Sequence, residues 1–201
     1  REFLAIMEHH VLPHLAQQVG DAARPPESLF LFTGAGESDL HEYLETHGLV
    51  ESGVDIGWCA SPGRVELRLQ SADESALDRS SDAVRQHLGP YIFSEERVGL
   101  EDVIVSLLRA RGQMLAVAES CTGGLLGGRI TEVPGCSTVF VGGVQSYANR
   151  IKEVALGVSA QLLESAGAVS EAVAMATAEG ARERFEVERA LSVTGVDSPD
   201  G

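Results

Sequence analysis

Apolar residues recur at helical spacing over positions 1–22, where Phe3, Ile6, Met7, Val11, Leu15 and Val19 fall on one stripe. That stripe predicts a single amphipathic helix. It ends in Ala22-Ala23-Arg24-Pro25-Pro26, whose prolines cannot extend a helix and which is expected to be a linker. The period then shortens. A strand is predicted at 29–32, a helix at 39–46 with Leu40, Tyr43 and Leu44 on one face, and strands at 54–59 and 65–69. Between those two strands, Ser61-Pro62-Gly63-Arg64 has the composition of a hairpin turn, since proline presets φ and glycine accepts a positive one. A helix at 76–88 and a strand at 91–93 complete a βαββαβ module.

Beyond that module, short apolar runs alternate with helical patterns, which predicts an α/β domain in layers. Val103, Ile104, Leu107 and Leu108 mark the inward face of a helix over 100–111, closed by Gly112. The run 115–118 is long enough for a buried strand and too short for a helix. It leads through Glu119-Ser120-Cys121-Thr122-Gly123-Gly124 into the helical pattern of Leu125, Leu126, Arg129 and Ile130. A second strand is predicted at 138–146, bulged at Gly142-Gly143, and it runs into Tyr147 and a helix with Asn149 at its cap and Lys152 one turn in. Ser159 and Ser170 stand at cap positions for helices over 160–165 and 171–185, and 190–194 predicts the last strand. The expected fold is therefore α/β: a layered α/β sandwich preceded by a small α+β module of split-βαβ or KH-like kind.

Composition narrows what such a chain can do. Its 201 residues allow one large domain or two small ones, and no run of eighteen apolar residues is present to span a membrane. A net charge of −15 argues against nucleic acid and anionic membranes. Residues 1–97 carry seventeen acids against seven bases, and Gly34-Ala35-Gly36-Glu37 does not fit a GXXG clamp. The module is thus expected to be a spacer or packing domain, not an RNA reader. Cys59, Cys121 and Cys136 lack metal-ligand spacing, which fits free thiols in a reducing cytoplasm. A start at Arg1 instead of Met marks the chain as an expected fragment.

The candidate chemistry follows from two scarcities. All six histidines (His9, His10, His14, His41, His47, His87) precede residue 98, so catalysis after that point has no imidazole. The cluster of His9, His10 and His14 lacks a carboxylate or Cys to complete a ligand set, and a solvated helix face is expected there; neither metal nor cofactor is. Lys152 is the single lysine beside fourteen arginines. A lysine whose pKa is depressed can act as a base, whereas arginine stays protonated. Ser120 lies at the strand-to-helix bend, where free helix amides and Gly123 and Gly124 would admit a phosphate or an oxyanion. The plainer alternatives are that Thr122 caps the helix, that the glycines only permit a tight crossover, and that Lys152 is a solvated helix lysine. Cys121 is a rival nucleophile without a histidine to form its thiolate. Tyr147 and Thr194 fall at the carboxyl ends of strands, where open α/β sheets bind ligands.

Three segments carry a resemblance. Ala118-Glu119-Ser120-Cys121-Thr122-Gly123-Gly124, Ser146-Tyr147-Ala148-Asn149-Arg150-Ile151-Lys152 and Gly167-Ala168-Val169-Ser170-Glu171 together resemble the C-terminal domain of the CinA family. The resemblance implies a deamidase domain over 98–201, a middle domain over 25–97, and at 1–24 the last helix and linker of an absent N-terminal domain. It implies hydrolysis of the carboxamide of nicotinamide mononucleotide to nicotinate mononucleotide and ammonia, in pyridine nucleotide salvage and without a metal. Ser120 would be the nucleophile, Lys152 its general base and Tyr147 an assistant, with Glu119, Thr122, Gly123, Gly124, Asn149, Thr194 and Gly195 at the substrate. A small nucleotide is the implied partner, with no nucleic acid and no membrane, and a homodimer is possible. The other reading is a non-catalytic nucleotide-binding or assembly module, any ADP-ribose pyrophosphatase activity belonging to the absent domain. Where the family continues with Ala-Gly-Pro, this chain has Asp197-Ser198-Pro199, and the family's further strands, last helix and phosphate-binding arginine would follow Gly201. Asp197 is expected to repel a phosphate or raise the pKa of Lys152.

Overall fold

The computed structural model describes residues 2–19 and 24–196. The chain divides into two compact units, Arg1–Arg97 and Val98–Gly201.

The first unit opens with α1 (Glu2–Ile6) and α2 (Leu12–Val19), joined by a wider helical turn at Met7–Val11. Phe3, Leu4, Ile6, Leu12 and Leu15 on this helix are exposed. Then come β1 (Glu27–Phe32), α3 (Glu37–His47), β2 (Asp55–Ser61), β3 (Arg64–Gln70), α4 (Glu74–Leu88) and β4 (Ile92–Ser94). The four strands pair antiparallel in the order β2-β3-β1-β4. That order is the ferredoxin-like, split-βαβ arrangement, so the KH-like alternative is not confirmed. Phe30, Phe32, Leu67 and Leu69 of the central strands meet Leu40, Leu44, Leu77 and Val84 of the two helices in one core. The expected hairpin turn forms at Ser61–Arg64, with Gly63 at φ +75°. Tyr91 is displaced from the last strand into a helical turn, Gly89–Tyr91, that Pro90 starts.

The second unit runs α5 (Leu100–Arg111), β5 (Leu115–Glu119), α6 (Leu125–Thr131), β6 (Phe140–Gln145), α7 (Asn149–Leu156), α8 (Ala160–Ala166), α9 (Glu171–Arg184) and β7 (Arg189–Val193). Its strands are parallel, in the order β6-β5-β7, so the layered α/β expectation is met. β5 is central and buried along its whole length, as parallel strands between helical layers are. Its side chains alternate. Leu115 and Val117 join Val105, Leu108, Ile130 and Val133 on the α5–α6 side, while Ala118 joins Leu156, Leu163, Val173 and Ala181 on the α7–α9 side.

Two glycines permit close approach, one between strands and one between helices. Val117 of β5 lies against Gly143 of β6, where any Cβ would run into its backbone. Likewise Gly180 lets α9 lie on the carbonyl of Leu156 at the end of α7, the helix that carries Lys152. Alanine is the better helix former by about 1 kcal/mol, but its methyl would meet backbone that cannot swing aside, a cost of about 1–3 kcal/mol or more. The clash is with backbone, at the upper end of that cost, so Gly180→Ala is expected to lower stability by roughly 2 kcal/mol or more net in urea denaturation; a variant as stable as wild type would show that the helices separate freely.

The bulge foreseen at Gly142-Gly143 lies one residue earlier, because Leu115 pairs with Phe140 and Ala116 with Gly142, leaving Val141 unpaired. Thr138, expected to begin that strand, instead ends a helical turn over Cys136–Thr138. Among the described residues no helix is long and apolar enough to cross a membrane.

Candidate active site

The chain leaves β5 for β6 on one side, and β7 returns to the other, so the carboxyl end of β5 is where strand order reverses. Open α/β sheets bind ligands outside such ends. Ser120 is the first residue past β5, 8% exposed, its amide still bonded to the carbonyl of Val193 at 3.0 Å.

The alternation of β5 continues into its last residues and separates two functions. Glu119 follows Leu115 and Val117 toward α6, where its carboxylate accepts from the Thr122 hydroxyl at 2.6 Å and the amides of Leu126 and Gly127 at 2.9 and 2.8 Å. Ser120 follows Ala118 toward the opposite layer, where the Lys152 ammonium lies 3.4 Å from its Oγ. Gly123 and Gly124 make the turn possible, with φ of +60° and +103°.

Lys152 is 1% exposed. Its Nζ donates to the carbonyls of Ser146 at 2.6 Å and Tyr147 at 3.2 Å. Burial pushes its pKa down, against a weaker upward pull from Cys121. A solvated helix lysine is thereby excluded. For Glu119, burial acts to raise the carboxyl, but the Thr122 hydroxyl and the amides of Gly127, Leu126 and Gly124 outweigh it and hold the group below the usual carboxylate range. The carboxylate that would keep Lys152 protonated is therefore committed to the other layer.

Several expected residues occupy different roles. Thr122 does not cap α6: Gly124 stands at the cap position, and the carboxylate that satisfies the helix's first amides comes from Glu119 on the preceding strand. The same bonds overturn a phosphate seat on those amides, because the protein's own anion fills it. Tyr147 meets the site through its main-chain carbonyl, while the residue as a whole is 71% exposed. Asn149 is the first residue of α7, after Ala148 at the cap position, and it is exposed. Thr194 donates to the carbonyl of Ala168 at 3.0 Å, tying the α8–α9 loop to the end of β7. Gly195 faces Cys121, whose Sγ would lie 3.0 Å from a Cβ placed there. Ser159 and Ser170 cap α8 and α9 as expected. Asp197 and Ser198 lie outside the described residues.

Two further residues belong to the arrangement. Ser146 is fully buried, its amide donating to the Glu119 carbonyl at 2.6 Å while its own carbonyl receives Lys152. Gln145 stands opposite Glu119 in the sheet and donates from Nε2 to the carbonyl of Gly123 at 2.9 Å, lying against Gly124. Strand alternation through 138–146 would have placed Ser146 on the face of Ser120; nothing in local spacing points to Gln145.

The pair of Ser120 and Lys152, with carbonyls on the lysine and no imidazole, is a hydroxyl beside a buried amine. The profile of the family described as CinA C-terminal domain matches residues 98–201. A CinA-like protein of Akkermansia muciniphila is 39% identical over 200 residues, covering 100% of this chain and 48% of the relative. A putative competence-damage inducible protein of Halothermothrix orenii is 37% identical over 208 residues, covering 100% of this chain and 49% of the relative. The chain thus spans about half the length of these curated relatives. The solved structure of a competence or damage-inducible protein from Enterobacter asburiae matches 53% of this chain and 67% of its own, at 28% identity and a TM-score of 0.50. With a family match over the whole unit that carries Ser120 and Lys152, the chain belongs to the CinA family.

Proposed function

We propose that this chain hydrolyses the carboxamide of nicotinamide mononucleotide to nicotinate mononucleotide and ammonia, with Ser120 as nucleophile and Lys152 as general base. The observation that carries the proposal is the hydrogen bonding of Nζ. A neutral amine has two N–H groups and one lone pair. The carbonyls of Ser146 and Tyr147 accept and cannot donate, so they engage the two N–H groups. With Nζ neutral, the lone pair is then left for the third neighbour, the Ser120 hydroxyl; protonated, Nζ donates to Ser120 Oγ instead.

In this mechanism the Ser120 proton passes to Nζ as Oγ attacks the carboxamide carbon. The amides of Cys121 and Thr122, which have no acceptor among the described residues, supply the donors for the oxyanion. Collapse expels ammonia, which takes the proton back from Lys152. Water, deprotonated by the same amine, then releases nicotinate mononucleotide. Tyr147 contributes its carbonyl to the lysine and leaves its exposed ring to border the substrate.

Ammonia release from nicotinamide mononucleotide, followed with a coupled glutamate dehydrogenase assay, tests the proposal. Wild-type chain is expected to turn over and Ser120→Ala to lose at least roughly 10²-fold in kcat. Binding of the nucleotide without ammonia would support the non-catalytic module instead.

A further inference from the structure

Glu119 is bonded on both sides of the sheet end. Its carboxylate, on a residue 2% exposed, holds Thr122 and the head of α6; its main-chain carbonyl accepts the Ser146 amide at 2.6 Å and the Ser146 hydroxyl at 3.3 Å. Ser146 in turn holds Lys152 through its own carbonyl. One residue therefore sets both the turn that aims Ser120 and the strand end that anchors the lysine. Gly127 carries no Cβ where the carboxylate passes, since one placed there would lie 3.3 Å from Oε1. An apolar or amide side chain at 119 would fill the same space without three acceptor contacts, so packing alone does not call for a carboxylate.

We propose that Glu119 is a positioning residue for the Ser120–Lys152 pair: it does not touch substrate, and it sets the reactivity of Ser120 by clamping residues 120–127. The inference rests on the reading of Ser120 as nucleophile, not on the identity of the amide. Its test can therefore leave the nucleotide out.

A fluorophosphonate probe supplies the readout. Ser120 Oγ attacks phosphorus, a P–O bond forms, the P–F bond breaks with loss of fluoride, and the hydroxyl proton passes to Lys152. Labelling is followed by intact mass on the whole chain, with the site located by peptide mapping. Glu119→Gln keeps the shape but turns one acceptor into a donor facing helix amides. It is expected to slow labelling of Ser120 at least about tenfold. Thr122→Val removes one of the three contacts, is the milder change for folding, and is expected to slow labelling by less.

Glu188→Gln is the control for a merely structural role. Glu188 accepts from the Met114 amide at 2.8 Å, at the far end of β5, so its loss is expected to lower the melting temperature and leave the labelling rate unchanged. Labelling of folded Glu119→Gln and Thr122→Val at the wild-type rate overturns the proposal. So does a wild-type chain that the probe does not label at Ser120. Slowed labelling in the Glu119 variant together with absent ammonia release supports the positioning role while removing the nucleotide as substrate.

Discussion

Lys152→Arg is expected to reduce kcat by roughly 10²–10⁴-fold, the usual contribution of a positioned acid or base. Arginine keeps the charge and can still donate to the carbonyls of Ser146 and Tyr147. What it cannot do is give up a proton near neutral pH and then accept one from Ser120. Lys152→Met, which fits the same buried space without a polar end, should lose kcat to a similar degree. The agreement of the two variants matters, because a guanidinium is bulkier and its loss of activity alone would also follow from displaced neighbours. Adding Ser120→Ala to either should cost little more, since residues acting as a unit are not additive. The dissociation constant for the nucleotide should change far less than kcat in every case. The measurement is steady-state ammonia release, with folding checked by near-ultraviolet circular dichroism. Near-normal kcat in Lys152→Arg would reduce the lysine to a fixed charge.

Much of this pair was legible before any coordinates. A single lysine in a unit without histidine, downstream of a Ser-Cys-Thr-Gly-Gly turn, limits the choice of base. Strand and helix positions followed from periodicity, and the serines at 159 and 170 marked two helix starts by their chemistry. Strand order did not follow, because parallel strands joined by long crossovers can be added on either side of β5 with the same local pattern. The head of α6 was misassigned for a related reason. Spacing shows that a helix starts near residue 125 and that its amides need an acceptor, but not which one arrives. A carboxylate on the strand, six or more residues earlier, outcompetes the nearby Thr122 hydroxyl because it is ionised and accepts three bonds at once. That Tyr147 meets Lys152 through its carbonyl was not legible on simpler grounds. It sits between strand and helix, outside either period, and its direction is set by the backbone that brings its carbonyl to Lys152.

The buried amine also fixes how activity and stability should depend on pH, activity rising below its folded pKa and stability above it. Because burial lowers the pKa of Lys152 in the folded chain, the unfolded chain binds the extra proton more readily over the interval between the two values. Below the folded value both states are protonated, and the fold carries the full cost of a buried ammonium. As pH rises from the folded value toward the unfolded one, near 10.4, that cost disappears. Stability should therefore climb through this window by up to about 1.4 kcal/mol per pH unit from this one group. The rate should climb first: kcat/KM should rise roughly tenfold per pH unit below the folded pKa and level above it, since only the neutral amine takes the proton from Ser120. Urea midpoints of wild type and Lys152→Met across pH 7 to about 10 give the first curve, and ammonia release gives the second. The expected result is that wild-type activity reaches its plateau near the folded pKa, and that the difference in stability between the two proteins shifts toward wild type as pH rises beyond that point. Parallel stability curves across pH 7 to about 10 would mean that Lys152 keeps its proton throughout, so that in an active chain Ser120 is deprotonated by some other group.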